Sequence, residues 1–201
     1  MKRLVSIILI LLFSLSLVSC NKQKKGPTEV DYGEVYYALY KDEEGLTFEY
    51  LSCFKKTEME EDDFVTYTDD KLGVLTYQVY SPDNEQEHND TLGYDKPSRS
   101  YAEIAAFTDE EAESYMRLAL GMVSSQGAKY TVDDFAFEKL ENEVRLRMEV
   151  TAEYERSGEI QKLWMFKVVK SDERVYTLHA FAPASIVTKY GPAYRNVVVA
   201  G

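Results

Sequence analysis

The chain has 201 residues, with 35 Asp+Glu against 23 Lys+Arg, a net charge of −12 and a pI of about 4.7. Its 45% hydrophobic and 29% charged content suits one globular domain rather than a disordered chain. The acidic balance argues against nucleic acid, which needs a basic footprint, and two cysteines can build neither a disulfide framework nor a four-thiolate zinc site.

The first twenty residues read as an address. Lys2 and Arg3 precede an apolar run, Leu4 to Val18, of signal-peptide length and short for a membrane span. Small Ser19 then precedes Cys20. The tetrad Leu17-Val18-Ser19-Cys20 resembles the lipobox of bacterial lipoproteins. That resemblance implies cleavage before Cys20 and diacylation of its thiol. One acyl chain binds a bilayer weakly, whereas two or three on one residue hold it there. The leader takes Lys2 and Arg3 with it and no acid, so the mature body is more acidic still and is repelled by anionic head groups. A polar segment, Asn21 to Thr28, carries three lysines and Gly26-Pro27 and reads as a tether. The expected organisation is a signal peptide over 1–19, a lipidated Cys20 with tether over 20–30, and a single domain over 31–201.

The body opens with β patterns. Val35–Tyr40 and Leu46–Leu51 read as strands joined by a turn at Asp42–Gly45, and Phe64–Thr68 with Val74–Tyr80 as a second hairpin. Ser81–Ser100 has no period and reads as a long loop. A helix follows. Thr108 and Glu111 have capping-box spacing, and Ala112, Tyr115, Met116, Ala119, Met122 and Val123 share one face. Gly127 is placed to stop it.

Period two then returns. Val144 to Tyr154 alternates apolar and polar, Ile160–Val169 is apolar at more positions, and Val175–Ala182 follows a short turn. These predict an antiparallel meander, with Phe135 and Phe137 in a further strand. Ile186, Val187, Tyr190, Tyr194, Val197 and Val198 share a helical face, with a break or kink expected at Gly191-Pro192. The fold class expected is α+β, an antiparallel sheet of six or seven strands packed against helices.

This order of elements resembles the PsbP-like family of small exported proteins, which includes bacterial lipoproteins of the DcrB kind. The residues that carry the likeness are GLTFEYLSCF at 45–54, the capped helix at 108–126, and the segment VYTLHAFAPASIVTKYGPAYRNVVVAG at 175–201. The resemblance implies a PsbP-like α/β sandwich ending in a helix, a mostly non-enzymatic role in binding or assembly, and no catalytic residues to carry over.

Few residues suggest chemistry of their own. Asp83, Glu87, His88 and Asp90 are the densest group of possible cation ligands, but they lack calcium-loop order and paired zinc histidines, so a solvated acidic loop is the plainer reading. Asp62-Asp63 and Asp69-Asp70 read as solvated acids beside a turn rather than a hydrolytic pair. Cys53, flanked by Leu51 and Phe54, is expected as a small core residue, since no basic neighbour in sequence would activate it. His179, mid-strand, is expected to be half-buried and structural. Of sixteen tyrosines, Tyr32, Tyr36, Tyr37, Tyr40 and Tyr50 cluster near the first hairpin, as strand formers or as a contact surface.

The expected function is therefore a lipid-anchored, extracytoplasmic and non-enzymatic binding or assembly module, without a cofactor. Its expected partners are the membrane, through Cys20, and an extracytoplasmic protein or small ligand. The candidate contact surface is loop 81–100 with nearby tyrosines. The alternatives are a small-ligand or divalent-cation binding protein of solute-capture type and, third, a secreted hydrolase working through carboxylates.

Overall fold

The computed structural model describes residues 32–41, 45–57, 64–69, 73–80, 99–121, 124 and 127–200, with the backbone alone at 57, 64–69 and 73–80. The chain divides into two units, 1–34 and 35–201. All that follows concerns the second.

Its strands are β1 (Tyr37–Lys41), β2 (Leu46–Leu51), β3 (Lys55–Thr57), β4 (Phe64–Asp69), β5 (Gly73–Tyr80), β6 (Ala128–Lys139), β7 (Glu143–Tyr154), β8 (Glu159–Lys170), β9 (Val175–Pro183) and β10 (Tyr194–Val199). Among the described residues, the α-helices α1 (Tyr101–Ala105), α2 (Asp109–Arg117) and α3 (Ala184–Tyr190) accompany them. Seven strands form one antiparallel sheet in the order β3-β4-β5-β9-β8-β7-β6, and β1-β2-β10 form a second. The α+β class and both predicted hairpins are as expected, as is the meander β7-β8-β9.

Alternation assigns the faces. On β7, Val144, Leu146, Met148, Val150 and Ala152 are fully buried, while Arg147 and Glu153, of the opposite parity, are exposed. The apolar row meets Ile104 of α1 and Ala112 and Met116 of α2 in one cluster, which Leu163, Met165 and Val169 of β8 complete. α1 lies on β7, and α2 on β6 and β7. Lys167 shares the parity of Met165 and Val169, so its ammonium stands on the helix side, where it donates to the Tyr115 hydroxyl at 2.7 Å.

The opposite parity of β8 and β9 is also buried: Trp164, Phe166 and Val168, then Tyr176, Leu178 and Ala180. A strand apolar on both faces lies between two layers. The second layer is β1-β2-β10 with α3. Phe48, Leu46, Leu51, Tyr194 and Val199 are its buried side chains, and α3 lies on β8 and β9. At the sheet's end, Lys170 bonds Glu143 at 2.7 Å and donates to the Ala200 carbonyl at 3.1 Å, tying the segment after β10 to β8. The order is helices, seven-stranded sheet, then small sheet with α3.

Three expectations need correction, and one element was not anticipated. The C-terminal helix ends at Tyr190, and residues 194–199 pair with β2 as β10 instead. Gly191 sits at φ +95°, where a Cβ would come within 2.6 Å of the Tyr37 hydroxyl, and Pro192 follows without an N–H to continue the helix. The helical spacing of Tyr194, Val197 and Val198 does not mark a shared face: a bulge lies between Arg195 and Val198, and Tyr194 and Val199 are buried while Val198 is exposed. Second, Ala119 is exposed and Leu120 buried, because the chain tightens into a 3-10 turn at Leu118–Leu120 and rotates the face. Third, Cys53 is half-buried in the turn after β2 rather than in the core, although its neighbours Leu51 and Phe54 are buried. The element not anticipated is α1, which follows at once on the segment read as unstructured up to Ser100 and which no periodicity announced.

Candidate functional site

On the face of the large sheet away from α1 and α2, a cleft of about 250 Å³ opens between β6–β8 and the corner joining α3 to β10. Asp133, Glu149, Lys162 and Trp164 line the sheet side, and Val187 and Pro192 the corner. Ligand sites favour such junctions between layers, where a few polar groups converge on an apolar wall.

A bulge in β6 builds one wall. Val132 pairs with Val150 and Asp134 with Glu149, so Asp133 is the inserted residue. The insertion inverts the alternation. Before it, Tyr130 and Val132 face the helices; after it, Phe135 and Phe137 do, and all four pack against the core cluster. The two consecutive aspartates are left to the outer side. Asp133 accepts from the Lys162 ammonium at 3.0 Å and the Thr151 hydroxyl at 2.6 Å, and Lys162 also donates to Thr151 at 2.5 Å. Asp134 pairs with Arg147 at 2.7 Å. Both aspartate charges are therefore balanced inside the sheet.

Glu149 is different. It stands between Asp134 on β6 and Trp164 on β8 in the same cross-strand row, and among the described residues it makes no hydrogen bond or ion pair. Trp164, the only tryptophan of the chain, is 6% exposed. Tyr194, at the start of β10, is buried and does not line the cleft. Its hydroxyl is the one buried side-chain polar atom among the described residues that has no hydrogen-bond partner. Burial pushes its pKa far up; the Glu149 charge pushes the same way and Arg147 opposes it. The phenol thus stays protonated and uncharged, with both a donor and an acceptor available.

Cys20 and the group Asp83, Glu87, His88 and Asp90 are outside the described residues, as are Asp62, Asp63 and Asp70; of Asp69, at the end of β4, only the backbone is described. No group of three or more His, Cys, Asp or Glu among the described residues is arranged to hold a metal ion. No helix among them is long and apolar enough to cross a membrane. His179 is half-buried in β9, opposite Met165 on β8 and Thr76 on β5.

The tyrosines divide. Tyr40 stacks on Phe48 at 4.8 Å between centroids, and Tyr37 donates to the Pro192 carbonyl at 2.9 Å, its ring covered by the Arg195 guanidinium at 3.7 Å. Both support the second layer. Tyr36, 63% exposed, stands at the surface with Leu39 and Val198.

The cleft was missed because its parts are scattered through the chain. One signal was readable: Asp133-Asp134 interrupts an alternating run at the point where the aromatic parity changes from even to odd.

No family model matches this chain, and no curated protein matches it. Among solved structures the chain is similar to the solution structure of cyanobacterial PsbP (CyanoP) from Synechocystis sp. PCC 6803. The identity is 10%, the match covers 85% of this chain and 99% of that one, and the TM-score is 0.42. The fold class stated above rests on the strands, helices and registers of this chain itself.

Proposed function

We propose that this protein is a lipid-anchored, extracytoplasmic binding module of PsbP-like type that carries out no chemistry on what it binds. The observation that carries the reading is Leu17-Val18-Ser19-Cys20 at the end of a charged and then apolar leader. An acylated Cys20 holds the protein at a membrane surface, and the polar tether from Asn21 sets the acidic body away from it. Partners are then met at short range on that surface, and an anchored protein gains effective concentration there without high intrinsic affinity.

The small-ligand alternative has a specific feature in its favour. The cleft combines an aromatic wall, Trp164, with a carboxylate, Glu149, that has no partner among the described residues. Binding through this cleft and anchoring through Cys20 are compatible parts of one function.

Labelling with radioactive palmitate in a bacterial host tests the anchor. Label is expected on the wild-type chain and absent from Cys20→Ala, whose product also leaves the membrane fraction. Equal labelling of both chains would overturn the reading.

A further inference from the structure

We propose that β1 is a dimerisation edge: two copies of this chain join their small sheets by antiparallel pairing of β1 with β1, about a two-fold axis at Leu39. The proposal goes beyond the binding reading above and holds whether or not Cys20 is acylated.

The sheet edges differ in how they are protected. An edge strand offers unpaired N–H and C=O groups to any extended chain, and proteins blunt such edges with charge, bulges or shortness. The edge strands among the described residues are β3 and β6 of the large sheet and β1 and β10 of the small one. β3 is three residues long and begins with the exposed lysines Lys55 and Lys56. β6 carries the bulge at Asp133, with Asp134 beside it. β10 is bulged between Arg195 and Val198, and Asn196 within the bulge sits at φ +52°. β1 has none of these devices. It pairs with β2 residue for residue from Tyr37 to Lys41, and Leu39 at its centre is 69% exposed.

β1 is also complementary to itself. Ser52 donates its N–H to the Tyr36 carbonyl at 2.8 Å, so Tyr36 turns its backbone toward β2. Backbone direction alternates along an antiparallel strand. Ala38 and Tyr40 therefore also turn toward β2, while Tyr37, Leu39 and Lys41 turn their N–H and C=O groups outward. A second β1 laid antiparallel sets Leu39 against Leu39 and Tyr37 against Lys41, and each outward group meets a partner. The side chains agree with that register. The paired Leu39 side chains cover each other on the outer face of the small sheet. Ala38 stands opposite the partner's Tyr40, small against large. Lys41, the charge at the end of β1, comes beside the partner's Tyr37 ring rather than beside a like charge. In a chain of net charge −12, β1 brings no acid to the contact. The contact is isologous, so it closes at two copies. Strands of five residues bury less than the roughly 1,000 Å² of a stable interface, so the dimer forms where copies are concentrated.

Oxidative cross-linking tests the pairing. Leu39→Cys and, separately, Lys41→Cys are placed in the full chain with Cys53→Ser, purified in detergent and treated with copper phenanthroline. Paired Leu39 Cα atoms would lie about 5.5 Å apart, within reach of a disulfide, and the two Lys41 Cα atoms about 14 Å apart, beyond it. Leu39→Cys is expected to give a reducible product of twice the chain mass, about ten-fold more of it than Lys41→Cys or Cys53→Ser alone. Sedimentation equilibrium of the wild-type chain is expected to show dimer at about 100 μM or below. Leu39→Lys sets like charges opposite each other at an exposed position, and should weaken the dimer about ten-fold or more with circular dichroism unchanged. A wild-type chain still monomeric at that concentration, equal cross-linking at 39 and 41, or an unaltered dimer in folded Leu39→Lys would overturn the β1 contact. The same oxidation in a total lysate of the bacterial host tests the occupant: a Leu39→Cys adduct of any mass other than twice the chain would overturn the second copy in favour of a strand from another protein.

Discussion

Glu143 and Lys170 show how single residues hold the layers together. Both are more than 90% buried, at 6% and 7% exposure, and they pair at 2.7 Å while Arg145 adds a second bond to the same carboxylate. Burial works against the Glu143 charge, but the bonds from Lys170 and Arg145 outweigh it and hold the carboxyl below its ordinary range. A depressed native pKa adds stability that is present above the unfolded value, about 4.3, and is lost as pH falls through the native one. Lys170→Met removes a partner and the bond to Ala200, and leaves Glu143 with Arg145 alone. The expected cost is about 3 kcal/mol at pH 7, shrinking below about pH 4 as Glu143 takes up its proton. Urea unfolding of both chains at pH 7, 5 and 3.5 measures this; a difference independent of pH would show that the ion pair is not its source.

Among the elements, the two short helices owe their ends to side chains. Thr108 and Glu111 exchange bonds with each other's backbone N–H at the start of α2, and Ser100 and Glu103 do the same for α1. α1 has a further tie, since the Tyr101 N–H donates to Glu173 in the turn between β8 and β9. Helices of five and nine residues cannot persist in water alone, so caps and the apolar face on β7 must stabilise them jointly. Thr108→Ala should cost about 1 kcal/mol and Thr108→Ser little, read as shifts of the urea midpoint at constant m-value. Equal loss in both variants would place the Thr108 contribution in its methyl group instead. The α2 cap was readable because a periodic apolar face follows it. The Ser100-x-x-Glu103 signature was equally present in the chain, but α1 is one turn long and offers no period to support it.

At the scale of the whole second unit, the helix-side core and the face beneath the small sheet share one set of strands. Met148, Leu146 and Val150 belong to the first, and Trp164, Phe166 and Tyr176 to the second, with β8 contributing to both. The two cores should therefore unfold together. Tryptophan fluorescence, which reports the outer face, and far-ultraviolet circular dichroism, which reports the whole backbone, are expected to give coincident urea transitions. Separate midpoints would mean that the small sheet and α3 can leave the large sheet independently.

What the amino-acid order determined by itself was whatever depends on neighbours in the chain: the cap at Thr108, the hairpins and the meander. These follow from period, turn residues and caps, which act over a few residues. The fate of residues 194–199, the reversal of parity at Asp133 and the meeting of Glu149, Trp164 and Pro192 at one cleft were decided only in three dimensions. Tyr194 becomes part of a strand because β2 supplies its partner about 150 residues earlier in the chain, at Tyr50. Short-range pattern carries no record of such a pairing: the energy that selects it comes from surfaces buried between segments distant in sequence, and it outweighs the local preference of either segment.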